Sequence, residues 1–268
     1  FEKVDDLQSK NPSIQFYCTC SFLEIYNEQI VDLLGEANKS LQLREDISHG
    51  VYVEGLNHEQ ITTPMEALTL LSRGLEQRHT GETKANAKSS RSHSVFTIHI
   101  QSKETGEVTT TKTARLNLID LAGSERQGRT SAEGKRLTEA CNINKSLSTL
   151  GQVILALSEI QKGRSMHVHY RDSKLTFLLR DSLGGNSKTC IVSNVSADPQ
   201  DLNETVSTLK FAHRAKRIRN KPIANENVTG NIALLQEQLR RLRHQLIEAN
   251  EKIAHQHAVG ARQGVDGF

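Results

Sequence analysis

The sequence predicts an α/β fold, a sheet of buried strands flanked by amphipathic helices, and three observations carry this reading. Residues 14–26 hold the strand formers Ile14, Phe16, Tyr17, Phe22, Ile25 and Tyr26, which suit a central strand. Leu116, Leu118, Ile119 and Leu121 make a second, nearly continuous apolar run. That run fits a strand buried on both faces, although a piece of buried helix has the same periodicity. Elsewhere apolar residues recur in steps of three and four, Leu68, Leu71 and Leu75 in one place and Ile143, Leu147, Leu150, Ile154 and Leu157 in another. Each set lays one apolar stripe along a helix.

The elements follow in order. Asn27 to Leu34 reads as a short helical turn ended by Gly35, and Leu41–Arg44 and Val51–Glu54 as short strands around the turn signal His49-Gly50. Thr63-Pro64-Met65-Glu66 is a capping box with proline at the first helical position, where its missing N–H costs nothing. The helix it starts runs to about Arg78. Residues 80–93 are small and polar, the composition of a solvated loop. The loop leads into a strand at 94–101, where Phe96, Ile98 and Ile100 alternate with Thr97, His99 and Gln101. After a turn at Thr105-Gly106 comes the apolar run at 116–121. A charged stretch then leads to a long helix at 139–161, a basic loop at 162–171, and an amphipathic helix marked by Leu175, Leu178, Leu179 and Leu183. A strand is expected at 190–195. Asp198-Pro199 caps a last helix toward Arg217, and 219–231, with Pro222 and several asparagines, reads as a linker. Ile232, Leu235, Leu239, Leu242, Leu246, Ala249 and Ile253 then form a heptad seam. It is read as a dimerising coiled coil in preference to a helix docked on its own domain.

Bulk properties exclude several classes. The 268 residues allow one large domain or a domain with an appendage. A net charge of +3 is too small to imply a polyanion such as nucleic acid as partner. No apolar run approaches the ~18 residues that span a bilayer. Cys18, Cys20, Cys141 and Cys190 contain no C-x-x-C pair, which points to reduced thiols in a cytosolic protein. His167 and His169 lack a nearby third ligand for a metal. The chain opens at Phe1 in charged sequence and reads as a fragment.

Chemistry concentrates where the second apolar run ends. Asp120 stands at the strand mouth, Gly123 follows three residues later, and then Glu125. An acid beside a bare backbone amide is what phosphate and Mg²⁺ chemistry requires, yet alone this D-x-x-G fits a surface turn equally well. The hydroxyl-rich Asn86-Ala87-Lys88-Ser89-Ser90-Arg91-Ser92-His93 precedes the neighbouring strand, so both segments can converge on one phosphate. A phosphate-cradling G-x-x-x-x-G-K-[ST] loop does not occur. Gly184-Gly185-Asn186-Ser187-Lys188-Thr189 lacks the glycine before lysine. Gly128 to Lys135 has one residue too many and Arg136 in place of the hydroxyl.

Together Asn86–His93, Leu116-Asn-Leu-Ile-Asp-Leu-Ala-Gly-Ser-Glu-Arg126, the helix sequence from Asn142, Tyr170-Arg-Asp-Ser-Lys-Leu-Thr176 and Asp181-Ser-Leu-Gly-Gly-Asn186 closely resemble a kinesin motor domain, from about residue 14 to 221. Phe177, where many members carry arginine, and the stretch Asn220 to Asn227 resemble the kinesin-12 subgroup. The resemblance implies a three-layer α/β sandwich with a central mixed β-sheet between helices, of the P-loop NTPase type and incomplete at its N-terminus, followed by a coiled-coil helix. Its parts would be a partial motor domain at 1–217, a neck linker at 218–230, a coiled coil at 231–255 and a disordered end at 256–268.

By resemblance the cofactors are ATP and Mg²⁺. Asn86, Ser89 and Ser90 would face the γ-phosphate and the metal, Ser90 as the hydroxyl on Mg²⁺ and the attacking water. Asp120 would hold Mg²⁺ through water, the Gly123 amide would sense the γ-phosphate, and Arg91 and Glu125 would pair as a gate. Lys162, Arg164, Arg171, Lys174 and Arg180 are offset within 160–180 only by Asp172, a face suited to the acidic microtubule. Lys145, Arg171 and Lys174 are the expected contacts. The implied protein is an ATP-driven, plus-end-directed, homodimeric microtubule motor on the cytoplasmic cytoskeleton, the spindle included. The alternative is a non-hydrolysing microtubule tether; an actin motor shares the switch logic but not the motifs at 170–176 and 181–186. The isolated chain, lacking a phosphate cradle, is expected to fold poorly and not to hydrolyse ATP. Microtubule-stimulated turnover by it would contradict that expectation.

Overall fold

The computed structural model describes residues 1–35, 39–46, 50–80, 91–106, 108–124 and 135–230, with helical residues at 236, 239–243 and 245–246. The chain runs α1 (Glu2–Lys10), β1 (Ile14–Tyr26), β2 (Gln29–Asp32), β3 (Ser40–Asp46), β4 (Gly50–Glu54), β5 (Glu59–Ile61) and α2 (Pro64–Thr80). Then follow β6 (His93–Glu104), β7 (Val108–Asp120), α3 (Lys135–Ile160), α4 (Lys174–Leu178), α5 (Leu202–Ala215) and β8 (Asn225–Gly230). The chain divides into two compact units, one of Phe1, Tyr17–Ile100 and Ala114–Ala224, the other of Glu2–Phe16, Gln101–Thr113 and the chain from Asn225.

The strands form one sheet in the order β4-β3-β2-β1-β6-β7-β8, with β5 on β1. The pairs β1–β2, β1–β5, β2–β3, β3–β4 and β7–β8 are antiparallel. In the larger unit β1 is central, as its composition predicts. The period of two sorts its side chains. Cys18, Cys20 and Phe22 join Ile61, Ala67 and Phe96 in a core under α2. Leu23 and Ile25 join Val95 and the α3, α4 and α5 residues Val153, Ile154, Leu175 and Ala215 in a second core on the opposite face. The expected layering of helix, sheet and helix follows from that sorting.

The capping box at the head of α2 forms as read. The Glu66 amide donates to Thr63 Oγ1 at 3.2 Å, and the Thr62 and Thr63 amides donate to the Glu66 carboxylate at 2.6 and 3.4 Å. α2 lies close to the sheet because Gly74 has no side chain. A Cβ there would sit 2.2 Å from Phe22 Cδ1, on a ring held edge-to-face against Phe96 at 5.4 Å.

Four expectations change. Asn27–Leu34 is not a helical turn. Asn27 and Glu28 both take positive φ (52° and 58°), the signature of a tight hairpin turn, so Gln29–Asp32 pairs back on β1. Residues 190–195 are not a strand. Val192 and Val195 are 81% and 51% exposed, and the segment has no ladder partner among the described residues. The helix expected through Leu183 ends at Leu178, and a 3₁₀ turn at Arg180–Ser182 completes it while Leu175, Leu179 and Leu183 stay buried. Finally, Leu116 and Leu118 on β7 are half exposed, not buried on both faces. Pairing of β7 with β8 stops at Thr113, so the end carrying these leucines has β6 alone beside it among the described residues. Most of the heptad seam and residues 256–268 lie outside the described residues; Leu239, Leu242 and Leu246 are helical and exposed.

Replacing Gly74 by alanine is expected to lower stability by about 1–3 kcal/mol through overpacking, although alanine is the better helix former. Denaturant unfolding checks this, and an unchanged or raised midpoint is the contrary result.

Candidate functional site

Two strand ends and the last turn of α2 build the site. Strand alternation puts Ser92 and Ser94 on the α2 side of β6, where both meet Arg78. The Arg78 guanidinium donates to Ser92 Oγ at 3.2 Å, to the Ser92 carbonyl at 3.0 Å and to Ser94 Oγ at 3.3 Å. It also donates to Asp120 Oδ2 at 3.0 Å, and its Nε lies 3.5 Å from Glu24 Oε1. Arg78 and Glu24 are 4% and 1% exposed, whereas the Asp120 side chain is 70% exposed. A buried guanidinium needs this many acceptors, because removing it from water costs several kcal/mol unless its donors are satisfied.

One cation thus faces two carboxylates, which leaves the trio one negative charge over. Asp120 has one oxygen fixed by Arg78 and most of its side chain in solvent, so it can accept a hydrogen bond from a metal-bound water. The donor set therefore fits a hydrated Mg²⁺. Among the described residues no three His, Cys, Asp or Glu gather as a metal cluster. His167 and His169 stack edge-to-face at 4.6 Å.

On the other face of β6, His93 is buried. Its Nδ1 accepts the Ala122 amide at 2.9 Å and its Nε2 lies 2.7 Å from Ser146 Oγ on α3. Gly123, the next residue after Ala122, is part-buried, and Arg91 begins the turn into β6, also part-buried. Asn86, Ser89, Ser90 and Glu125 lie outside the described residues.

The basic face differs from its sequence appearance. Arg171 and Arg180 both bind Glu45 of β3, Arg171 at 2.6 Å, and these bonds hold the Glu45 carboxyl below its ordinary pKa. Lys162 and Arg164 both bind Glu159. Asp172 is therefore not the only offset. Lys145 is exposed on α3 and Lys174 is part-buried at the head of α4. The Tyr170–Thr176 motif is largely structural. Ser173 caps α4 through the Leu175 amide and binds Glu28, the Lys174 amide donates to Glu28 Oε2, and Thr176 Oγ1 donates to the Tyr170 carbonyl. Phe177 lies beneath the Arg171 guanidinium at 5.1 Å.

The glycine-rich stretch at 184–189 holds residues 220–223. Gly184 takes φ 87°, and a Cβ on Gly185 would fall 2.8 Å from the Asp181 backbone. Within this tight loop Asn220 binds the Gly184 amide, the Ser182 carbonyl and Thr189, while the Ile223 amide donates to Asn186.

Sequence reading missed Arg78 and Glu24 as site residues, though a signal existed. The expected stripe of α2 is shifted, since Leu68 and Leu75 are exposed and Arg78 instead continues the buried face of Ala67, Leu71 and Gly74; Glu24 continues the alternation Cys18, Cys20, Phe22. A charge on an apolar stripe is a buried, paired charge.

The family described as "Kinesin motor domain" matches residues 1–218. "Kinesin-like protein KIN-12C" of Arabidopsis thaliana is 54% identical over 245 residues, 91% of this chain and 12% of that protein. "Kinesin-like protein KIF15" of Homo sapiens is 55% identical over 234 residues, 87% of this chain and 17% of that one. The chain thus spans under a fifth of these relatives' length. Among solved structures, a KIF14 dimer with AMP-PNP in complex with a microtubule gives a TM-score of 0.74 at 41% identity, covering 84% of this chain and 64% of that one. A "fast kinesin" also gives 0.74, at 43% identity, with 84% and 63% covered.

Burial, with the Arg78 charge adding, lowers the His93 pKa to about 4, and burial likewise lowers that of His99 to about 4. The unfolded chain binds protons on these rings below pH ~6.5, while the folded chain resists until about 4. Stability from His93 is therefore fully present above pH ~6.5 and lost as pH falls toward 4, by up to ~1.4 kcal/mol per pH unit. Part-exposed His99 adds less. Unfolding free energy against pH reads this directly, and His93→Gln is expected to remove most of the slope.

Proposed function

The chain belongs to the kinesin motor-domain family, and from that premise we propose that it is the phosphate-sensing and track-binding part of an ATP-driven microtubule motor. One observation supports this most. The D-x-x-G acid, the strand leaving the hydroxyl-rich loop and the middle of α3 are tied together through buried side chains, with Asp120 on Arg78 and Ala122 and Ser146 on His93. A nucleotide sensor that drives a track-binding helix needs that adjacency.

Asn86, Ser89 and Ser90 supply short hydroxyl and amide groups to the γ-phosphate. Asp120 holds a metal-bound water, and the Gly123 amide donates to a γ-phosphate oxygen. Arg91 and Glu125 close over the site as an ion pair. Bound Mg²⁺ supplies charge neutralisation on the phosphates. The residues themselves position groups and stabilise charge, which is most of the work in phosphoryl transfer. When the γ-phosphate leaves, the Gly123 contact is lost and α3 responds. Lys145, Arg171 and Lys174 face the acidic track. Arg171 exchanges its Glu45 partner for a tubulin carboxylate, so affinity falls with ionic strength.

Residues 218–230 act as the neck linker. Their attachment through Asn220 and the pairing of Asn225–Gly230 with β7 support a docked arrangement. The seam over 231–255 makes a homodimer, movement is toward the plus end, and the protein works on cytoplasmic and spindle microtubules.

The test is ATP turnover by the full-length protein with and without microtubules. Wild-type turnover is expected to rise with microtubules, and Glu125→Ala to lower the stimulated rate about a hundredfold, some 3 kcal/mol. A wild-type protein that binds microtubules without turnover is the tether instead.

A further inference from the structure

His93 ends the hydroxyl-rich motif, yet nothing in the nucleotide chemistry above uses it. It is 2% exposed, and so is Ser146, its partner on α3. The hydrogen-bond chemistry fixes its tautomer. The Ala122 amide can only donate, so Nδ1, 2.9 Å away, accepts and carries no proton. Neutral imidazole then has its proton on Nε2, which donates to Ser146 Oγ at 2.7 Å. Each end of the ring therefore binds a different element, the segment after β7 and α3. Ala122 immediately precedes Gly123, and Ser146 immediately follows Lys145.

Resting on the motor reading, we propose that His93 is a positioning residue, a strut through which displacement of the Asp120–Gly123 segment is transmitted to α3 and so to the microtubule contact. The strut is stiff for three reasons. Its Cα is anchored in β6, so only a turn of the ring can carry a shift from one partner to the other. Its ring is packed where water cannot replace a lost partner. Its two bonds also polarise one another, since donation from Nε2 raises the basicity of Nδ1. When the Ala122 segment shifts by a fraction of a hydrogen-bond length, α3 must follow or two buried polar groups lose their partners. Strand parity makes the arrangement specific. Ser92 and Ser94 serve Arg78 on one face of β6, and His93 serves Ala122 and α3 on the other.

The experiment uses the full-length protein and measures microtubule dissociation constants with a non-hydrolysable ATP analogue and with ADP, reading the ratio between them. Ser146→Ala removes only the α3 partner. His93→Asn keeps an acceptor near Nδ1 but cannot reach Ser146, and His93→Gln keeps a donor near Nε2 but loses the acceptor for Ala122. Each is expected to reduce the nucleotide-dependent ratio about tenfold, and the Ser146→Ala/His93→Asn pair to do no worse than either alone. Hydrogen exchange at the Ala122 amide is expected to rise in His93→Gln and hold in His93→Asn. A residue that only filled the core would change melting temperature and leave the ratio intact. A wild-type ratio in Ser146→Ala overturns the strut, and that variant decides the matter should the His93 variants not fold. A wild-type protein with no nucleotide-dependent affinity overturns the motor reading and the strut with it.

Discussion

The pleat of β6 is the constraint on which the rest depends. Successive side chains leave a strand on opposite faces, so Ser92, His93, Ser94 and Val95 are dealt alternately to α2 and α3. The serines complete the shell around Arg78, and the histidine reaches Ser146. β1 obeys the same rule, with Phe22 and Glu24 toward α2 and Leu23 and Ile25 toward the other core. A slip of one residue in β6 would exchange the two sets and empty both sites.

Parity brings the groups together, and charge decides how firmly they stay. Arg78 and Glu24 form an ion pair shielded from water, which by itself gains little. The guanidinium is held by its planar array of donors, shared among Glu24, two serines and Asp120. Asp120 is the exposed member, so it is the one that solvent reaches. The buried pair anchors the cluster and the solvated acid is its outward face.

The basic face shows the same division between near and distant residues. Counting charges between 160 and 180 finds one acid, Asp172, but Glu45 is more than a hundred residues away in sequence and binds both Arg171 and Arg180. Glu28, at the tip of the β1–β2 hairpin, holds the head of α4. Charge patterns measured along the chain therefore overstate how much of that face is uncompensated.

Local chemistry was legible in the sequence wherever the determinant itself is local. The α2 capping box, the central β1, the alternation of β6 and the D-x-x-G acid at the end of β7 all rest on spacing over a few residues. The family assignment rested on motifs of the same kind. Only the tertiary structure decided the rest. The hairpin at Asn27-Glu28 needed β1 as a pairing partner, and the strand expected at 190–195 found none among the described residues. The apolar run of β7 is half exposed because strand propensity does not say what lies beside a strand. The roles of Arg78, Glu24 and His93 come from partners on other elements, since burial and hydrogen bonding belong to the folded chain and not to any window of it.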